Sequence, residues 1–169
     1  MSDPLVMILI GSESDFDAMK PCVEVLEEFG VPNQVTVASS HRAPHVVERI
    51  AREAEGKGIQ VMICAAGMSA HLAGAVASYT ILPVIGVPME TPAFKGLDAL
   101  HSMVQMPGGI PVACMGIGKH GAKNAAFEAI QILALHDREL KDRLYAYRDE
   151  LSDKVAAMDR RVQKLLRRE

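Results

Sequence analysis

Short apolar runs alternate with stretches of helical periodicity along most of the chain. The runs at residues 5–10, 34–38, 61–65, 83–87 and 112–115 have the length of strands, and the continuous apolar character of residues 5–10 is typical of a strand buried on both faces. Helical spacing follows at residues 15–29, 44–55, 70–78 and 122–135, and we expect Ser14 or Asp15 to cap the first of these helices. This alternation predicts βαβ units and an α/β fold with a parallel sheet.

The region after residue 137 has a different pattern. One apolar stripe, with residues three or four apart, continues through it: Leu140, Leu144, Tyr147, Leu151, Val155, Met158, Val162 and Leu165. A helix of ~28 residues is about 40 Å long, more than a domain of this size covers alone. We therefore divide the chain into a catalytic α/β domain, residues 1–137, and a helical extension, residues 138–169, that packs on the core or a neighbouring subunit. A surface helix broken near Ser152 and Asp153 is the alternative.

Composition narrows the function classes. Aromatic residues make up 4% of the 169 residues and the formal net charge is −3, so neither base stacking nor broad attraction to a polyanion is expected. We predict no nucleic-acid partner. No apolar run has the length of a membrane span, and the run at residues 5–10 is a core strand rather than a signal peptide, which predicts a cytoplasmic protein without a membrane partner. The three cysteines are widely spaced in apolar stretches and are predicted to be reduced.

The loop after the first strand, residues 11–15, combines a glycine, two serine hydroxyls and the start of a helix. Backbone N–H groups and the helix dipole favour a phosphate there, held near Ser12 and Ser14, and Asp15 can accept hydrogen bonds from ribose hydroxyls. The loop has neither a dinucleotide-binding nor a P-loop pattern. An equally good interpretation from this loop alone makes Ser14 and Asp15 simple helix caps.

The loop after the second strand brings an imidazole and a guanidinium together with hydroxyls before a helix. Arg42 suits a phosphate because its planar group makes paired, charge-assisted hydrogen bonds. Histidine exchanges protons near neutral pH, so His41, beside Ser40, is the candidate acid and base.

Small residues dominate the loop after the third strand, residues 66–74, and allow backbone to approach a flat ligand closely. His71 in this loop is either a second polar contact or a residue that orients the loop. The Pro- and Gly-rich segment at residues 105–111 is either a rigid turn or a pocket wall. His41 and His45 have H-x-x-x-H spacing, but Arg42 replaces the Glu of a zinc protease and Pro44 indicates that His41 precedes the helix. The other histidines and the cysteines are scattered, so no metal is predicted.

Several ordered motifs carry a family resemblance. They are residues 11–15 (Gly-Ser-Glu-Ser-Asp), Ser40-His41-Arg42 with Pro44, Ala66-Gly67 with Ala70-His71-Leu72, residues 82–88, Gln105-Met106-Pro107 with Gly109-Ile110-Pro111, and Asn124-Ala125-Ala126. Together they resemble the catalytic subunit family of phosphoribosylaminoimidazole carboxylase. Arg42 and His71 resemble its mutase branch, which moves a carboxyl group from N5 to C4 of N5-carboxyaminoimidazole ribonucleotide in de novo purine biosynthesis.

The resemblance implies a three-layer α/β/α sandwich with a doubly wound, flavodoxin-like sheet, and a homo-octamer without metal or organic cofactor. It implies that His41 is the general acid and base of an isomerase. The expected substrate-binding residues are Ser12, Ser14, Asp15, Ser40, Arg42, Gly67, His71 and Leu72. The substrates would be the ribonucleotide and CO2, with a functional link to the synthase that makes the carbamate.

Two alternatives remain open at this point. The carboxylase branch of the family adds free CO2 to aminoimidazole ribonucleotide, and Ser69 is reminiscent of it. A non-catalytic, flavodoxin-like nucleotide-binding module would also use the first loop. In such a module His41 and Arg42 would have no role, and few aromatic residues are present to stack on a flavin.

Overall fold

A computed structural model describes residues 3–167 and contains a five-stranded parallel sheet. The strands are β1 (Val6–Ile10), β2 (Asn33–Val37), β3 (Val61–Ala66), β4 (Val84–Pro88) and β5 (Ala113–Cys114). Their order in the sheet is β2-β1-β3-β4-β5, and every pairing is parallel. The predicted α/β class is therefore confirmed, with each strand boundary within one residue or two of its predicted position.

Six α-helices accompany the sheet in the described part of the chain. They are α1 (Phe16–Glu28), α2 (Pro44–Glu53), α3 (Leu72–Ala77), α4 (Leu97–Val104), α5 (Gly118–Leu133) and α6 (Arg138–Leu166). Helices α2, α3 and α4 share one buried cluster with the strands. On the opposite face, α1 and α5 meet through the edge-to-face ring pair of Phe29 and Phe127, whose centroids are 5.7 Å apart. The three-layer, doubly wound arrangement is the flavodoxin-like one.

The interior is built from small and aliphatic side chains. All five residues of β1 and all six of β3 are buried, because both faces of these central strands are covered by helices. Cys22 and Cys64 are buried as free thiols, and burial raises the pKa of Cys22 to about 12. These two cysteines therefore pack as small apolar residues.

Two sequence predictions need correction. The helix α4 was not predicted, although its Ala99 and Met103 are buried in the core. Asp15 occupies the N-cap position of α1, as predicted for one of the two candidates, but its side chain makes no capping hydrogen bond there. The side-chain cap is instead Ser12, whose hydroxyl accepts a hydrogen bond from the Ser14 amide at the start of the short 3₁₀ turn that precedes α1.

Contacts divide the chain into two units, with the boundary between Ile132 and Leu133. The second unit contains α6, a continuous helix of 29 residues, so the alternative of a helix broken near Ser152 and Asp153 is excluded. The Asp137 side chain caps it by accepting a hydrogen bond from the Leu140 amide at 3.0 Å. Five apolar side chains of its later turns are between 38% and 65% exposed: Leu151, Val155, Met158, Val162 and Leu165.

None of the helices within residues 3–167 combines the length and the apolar character that a membrane crossing needs.

Candidate functional site

A cavity of about 680 Å³ lies at the carboxyl edge of the sheet, beyond the ends of β1, β2 and β3. In the strand order, β1 is flanked by β2 and β3, so the connections from β1 and β3 leave in opposite directions at this point. Parallel sheets leave a ligand-binding crevice where the connections diverge in this way. The cavity is lined by Gly11, Ser12, Ser14, Asp15, Ser39, Ser40, His41, Arg42, Ala66, Gly67, Met68, Ser69, His71, Leu72 and Thr91.

The loop after β1 is held by a reciprocal capping arrangement. The Ser12 amide donates a hydrogen bond to the Asp15 carboxylate at 3.1 Å, while the Ser12 hydroxyl accepts hydrogen bonds from the Ser14 amide and hydroxyl. Partial burial raises the pKa of the Asp15 carboxyl, and the hydrogen bond from the Ser12 amide opposes that shift. The serine hydroxyls and the carboxylate therefore line the cavity in a fixed arrangement.

Arg42 connects the loops that follow β1 and β2. Its guanidinium donates to the Gly11 carbonyl at 3.2 Å and to the Ser39 hydroxyl at 3.4 Å, and the Ser39 hydroxyl also accepts a hydrogen bond from the Arg42 amide. The guanidinium is thereby held beside the first loop while its side chain stays exposed. A cation next to serine hydroxyls and a helix start is suited to an anionic group such as a phosphate.

His41 and His71 form a direct hydrogen bond across the cavity. His41 Nε2 lies 2.9 Å from His71 Nδ1, and the two rings stand nearly perpendicular, at 86°. One nitrogen must donate and the other accept, so a single proton lies between the rings. Both side chains are exposed, and His71 occupies the N-cap position of α3. The pair can orient one imidazole and pass a proton to a bound ligand.

The loop after β3 passes close to the loop after β4. A Cβ atom on Gly67 would lie 3.0 Å from Thr91 Cγ2, so only glycine allows this approach without displacement. Met68, the next residue, has a left-handed backbone with φ of 55°, and its side chain is 68% exposed. Leu72 also lines the cavity but is 1% exposed.

The structure brings every predicted site residue to this one cavity. Sequence reasoning did not select Thr91 or Met68. Thr91 lies just after β4, so its position beyond a strand end was a usable signal. Met68 lies just after β3 and carries the same positional signal, but its left-handed backbone conformation cannot be read from the sequence.

The Pro- and Gly-rich segment belongs to a different part of the fold. Gly109, Ile110 and Pro111 line a second cavity, of about 640 Å³, beside the amino end of β4. Within the single chain this segment is therefore not a wall of the crevice that contains His41. It does pack near α3, since a Cβ atom on Gly74 would lie 3.2 Å from Met106 Sδ.

Residues 3–167 contain no group of three or more His, Cys, Asp or Glu side chains placed to hold a metal ion.

Comparison with known proteins adds an independent finding. Residues 5–154 match the protein family described as AIR carboxylase. The chain is 47% identical over 162 residues to the N5-carboxyaminoimidazole ribonucleotide mutase of Pyrococcus horikoshii, covering 96% of this chain and 90% of that protein. It is 48% identical over 150 residues to the Escherichia coli K12 protein of the same name, with 89% of each chain covered.

The fold has a close counterpart among solved structures. The crystal structure of Treponema denticola PurE superposes with a TM-score of 0.81 at 31% sequence identity, covering 91% of this chain and 95% of that one.

Proposed function

We propose the following reaction for this chain, which belongs to the AIR carboxylase family. The chain is an isomerase of de novo purine biosynthesis that converts N5-carboxyaminoimidazole ribonucleotide to 4-carboxy-5-aminoimidazole ribonucleotide. The relatives that share 47% and 48% of their aligned residues with it carry the name of that mutase. The observation that supports this activity best is the pair of hydrogen-bonded histidines beside an anion-binding loop.

The first chemical step is loss of CO2 from N5. His41, as imidazolium, donates a proton to the carbamate nitrogen, the bond from that nitrogen to the carboxyl carbon breaks, and its electron pair stays on nitrogen. Neutral CO2 and aminoimidazole ribonucleotide result. His71, at 2.9 Å from His41, orients the imidazole and accepts or donates the proton between the two rings.

The second step forms the new bond at C4. The ring amino group makes C4 nucleophilic, and C4 attacks the carbon of CO2, which accepts the electron pair onto oxygen. The proton on C4 then passes to His41, now neutral, and the enzyme returns to its starting protonation state. One residue thus serves as acid and then as base.

The remaining polar residues bind the ribonucleotide. Ser12, Ser14 and the guanidinium of Arg42 hold its phosphate, and Asp15 accepts hydrogen bonds from the ribose hydroxyls. Ser40, Gly67 and Leu72 complete the cavity walls around the imidazole ring of the substrate. The fixed geometry of the first loop supports this assignment, because donors that are already oriented lose little entropy on binding.

Replacing Arg42 with alanine is expected to weaken binding with little change in kcat. Charge-assisted hydrogen bonds to a phosphate contribute about 1.5–3 kcal/mol, so KM should rise about tenfold to a hundredfold. Steady-state kinetics measure this change. Arg49→Ala is the matched control, since Arg49 is an exposed arginine of α2 that pairs with Glu53 and does not line the cavity. An unchanged KM for Arg42→Ala would remove Arg42 from the phosphate site.

Two assays with the purified protein test the activity itself. One supplies freshly made N5-carboxyaminoimidazole ribonucleotide without bicarbonate, and the other supplies aminoimidazole ribonucleotide with high bicarbonate. We expect rapid formation of the C4-carboxylated product in the first assay. Efficient turnover only in the second would assign the chain to the carboxylase branch, and no turnover in either would favour a binding module.

We also propose that the protein is a homo-octamer in which α6 packs on a neighbouring copy. The exposed apolar stripe of α6 supports this, because a single chain leaves it in water. Light scattering should give a mass of eight chains of 18.3 kDa. Met158→Glu is expected to reduce that mass, whereas Ala156→Glu adds the same charge on another side of α6 and should leave it unchanged. An octamer that persists in Met158→Glu would exclude the stripe as an interface.

Two further expectations accompany the proposed reaction, one on the source of the substrate and one on cellular location. The carbamate substrate must come from a synthase, so a functional link to that enzyme is expected. A cytoplasmic location fits the three unpaired cysteine thiols, since reducing compartments keep thiols free.

A further inference from the structure

Met68 combines two features that do not favour folding. Among residues 3–167, Met68 and Lys95 are the non-glycine residues with a positive φ, at 55° and 53°. This left-handed conformation is unfavourable for a residue with a Cβ atom. The Met68 side chain is also 68% exposed, so it contributes little to the core in return. Glycine would be the better residue for stability.

The backbone around Met68 is held on both sides. Gly67 lies against Thr91, where a Cβ atom would come within 3.0 Å of the threonine methyl group. On the other side Ala70 is 1% exposed, and the His71 amide donates a hydrogen bond to the Ser69 carbonyl at 2.8 Å. The left-handed conformation is therefore imposed by its neighbours, and it keeps the Met68 side chain in the cavity wall.

The walls of the cavity differ in polarity. The loops after β1 and β2 contribute serines, Asp15, His41 and Arg42. On the β3 side, Ala66 and Leu72 are almost completely buried, at 8% and 1% exposure. Met68 is thus the large apolar side chain of the lining that a bound molecule can contact.

We infer that Met68 covers the reacting end of the bound ribonucleotide and retains CO2 between the two chemical steps. The inference rests on the proposed mutase reaction. Once the N5–carboxyl bond breaks, CO2 is small and uncharged, and it must stay near C4 until the new carbon–carbon bond forms. An unbranched, flexible thioether can close over such a molecule and exclude water without competing for its oxygen atoms. Met68 therefore keeps CO2 near C4 and takes no part in proton transfer.

Retention of the carboxyl carbon measures this role directly. The substrate carries ¹³C in its carboxyl group, and the assay contains unlabelled bicarbonate with carbonic anhydrase, so escaped CO2 is diluted before it can return. Mass spectrometry then gives the fraction of ¹³C in the product. A reaction without enzyme corrects for spontaneous loss of the carboxyl group.

We expect Met68→Gly to lose severalfold more label than the unmodified protein. Met68→Asn, whose small polar side chain tolerates the left-handed conformation, should also lose label and separates loss of the thioether from the added backbone freedom of glycine. Met68→Leu keeps the apolar bulk and should retain label. Lys95→Gly is the matched control, because it changes the other left-handed residue outside the cavity lining and should retain label as well.

Equal label retention in Met68→Gly, Met68→Asn and the unmodified protein would overturn the inference. So would equal loss from Lys95→Gly, which would attribute the effect to backbone conformation. If the unmodified protein formed no product from the carbamate substrate, the proposed function itself would fall. If it formed labelled product normally and the Met68 variants did too, only the role of Met68 would be wrong.

Discussion

His41→Asn should lose about 10²–10⁴-fold in kcat while the dissociation constant of the ribonucleotide changes little. Asparagine keeps a polar side chain at this position but cannot exchange a proton near neutral pH. Both proposed steps need that exchange, first to N5 and then from C4. Saturating steady-state assays give kcat, and calorimetric titration with aminoimidazole ribonucleotide gives the dissociation constant.

The control for this variant is His45→Asn. His45 is an exposed histidine in the first turn of α2, four residues from His41, and it does not line the cavity. Its replacement should leave both constants unchanged. Normal turnover by His41→Asn at saturating substrate would remove His41 from the proton-transfer role, and a loss of binding alone would reduce it to a contact residue.

Gly121→Ala is expected to destabilise the fold more than most single substitutions. Gly121 lies in the first turns of α5, where a Cβ atom would overlap the carbonyl group of Gly116. The atoms that this Cβ would meet are backbone atoms of Gly116, so no flexible side chain can move aside. We expect the free energy of unfolding to fall by at least about 3 kcal/mol. For a chain of this length that corresponds to a drop in Tm of about 6–12 °C, measured by calorimetry at fixed protein concentration.

Gly56→Ala provides the matched comparison. A Cβ atom on Gly56 meets nothing within 4 Å, and the backbone there is not left-handed. Its Tm should stay the same or rise slightly, because alanine reduces the entropy of the unfolded chain. A Gly121→Ala protein as stable as Gly56→Ala would mean that the start of α5 can shift at little cost.

Much of the fold could be predicted because the parallel sheet has a simple signature. Strands covered on both faces are continuously apolar, and β1 and β3 follow that pattern along their whole length. The helix α4 escaped prediction because its eight residues follow a Pro- and Gly-containing loop and give only about two turns of periodicity. The capping prediction placed Asp15 correctly at the N-cap of α1 but missed the side-chain cap Ser12, since several neighbouring side chains in residues 12–15 have the chemistry of a helix cap.

The candidate site was predictable to the extent that it lies at strand ends. Residues that carry chemistry directly after β1, β2 and β3 must meet at one edge of a parallel sheet, and Asp15, His41 and His71 do so. The direct bond between the two imidazoles depends on side-chain rotamers and could not be derived from the sequence. The same holds for Met68, whose left-handed backbone is set by tertiary contacts of its neighbours.

The position of α6 after the core in chain order has a consequence during synthesis. Ribosomes add about 5–20 residues per second, so the 29 residues of α6 take about one to six seconds to make. By then every strand of the sheet has been translated, and the core can fold before the apolar stripe emerges. Because the core can fold before the apolar stripe emerges, the stripe and unfolded core segments are not exposed together, which limits misassembly with other nascent chains.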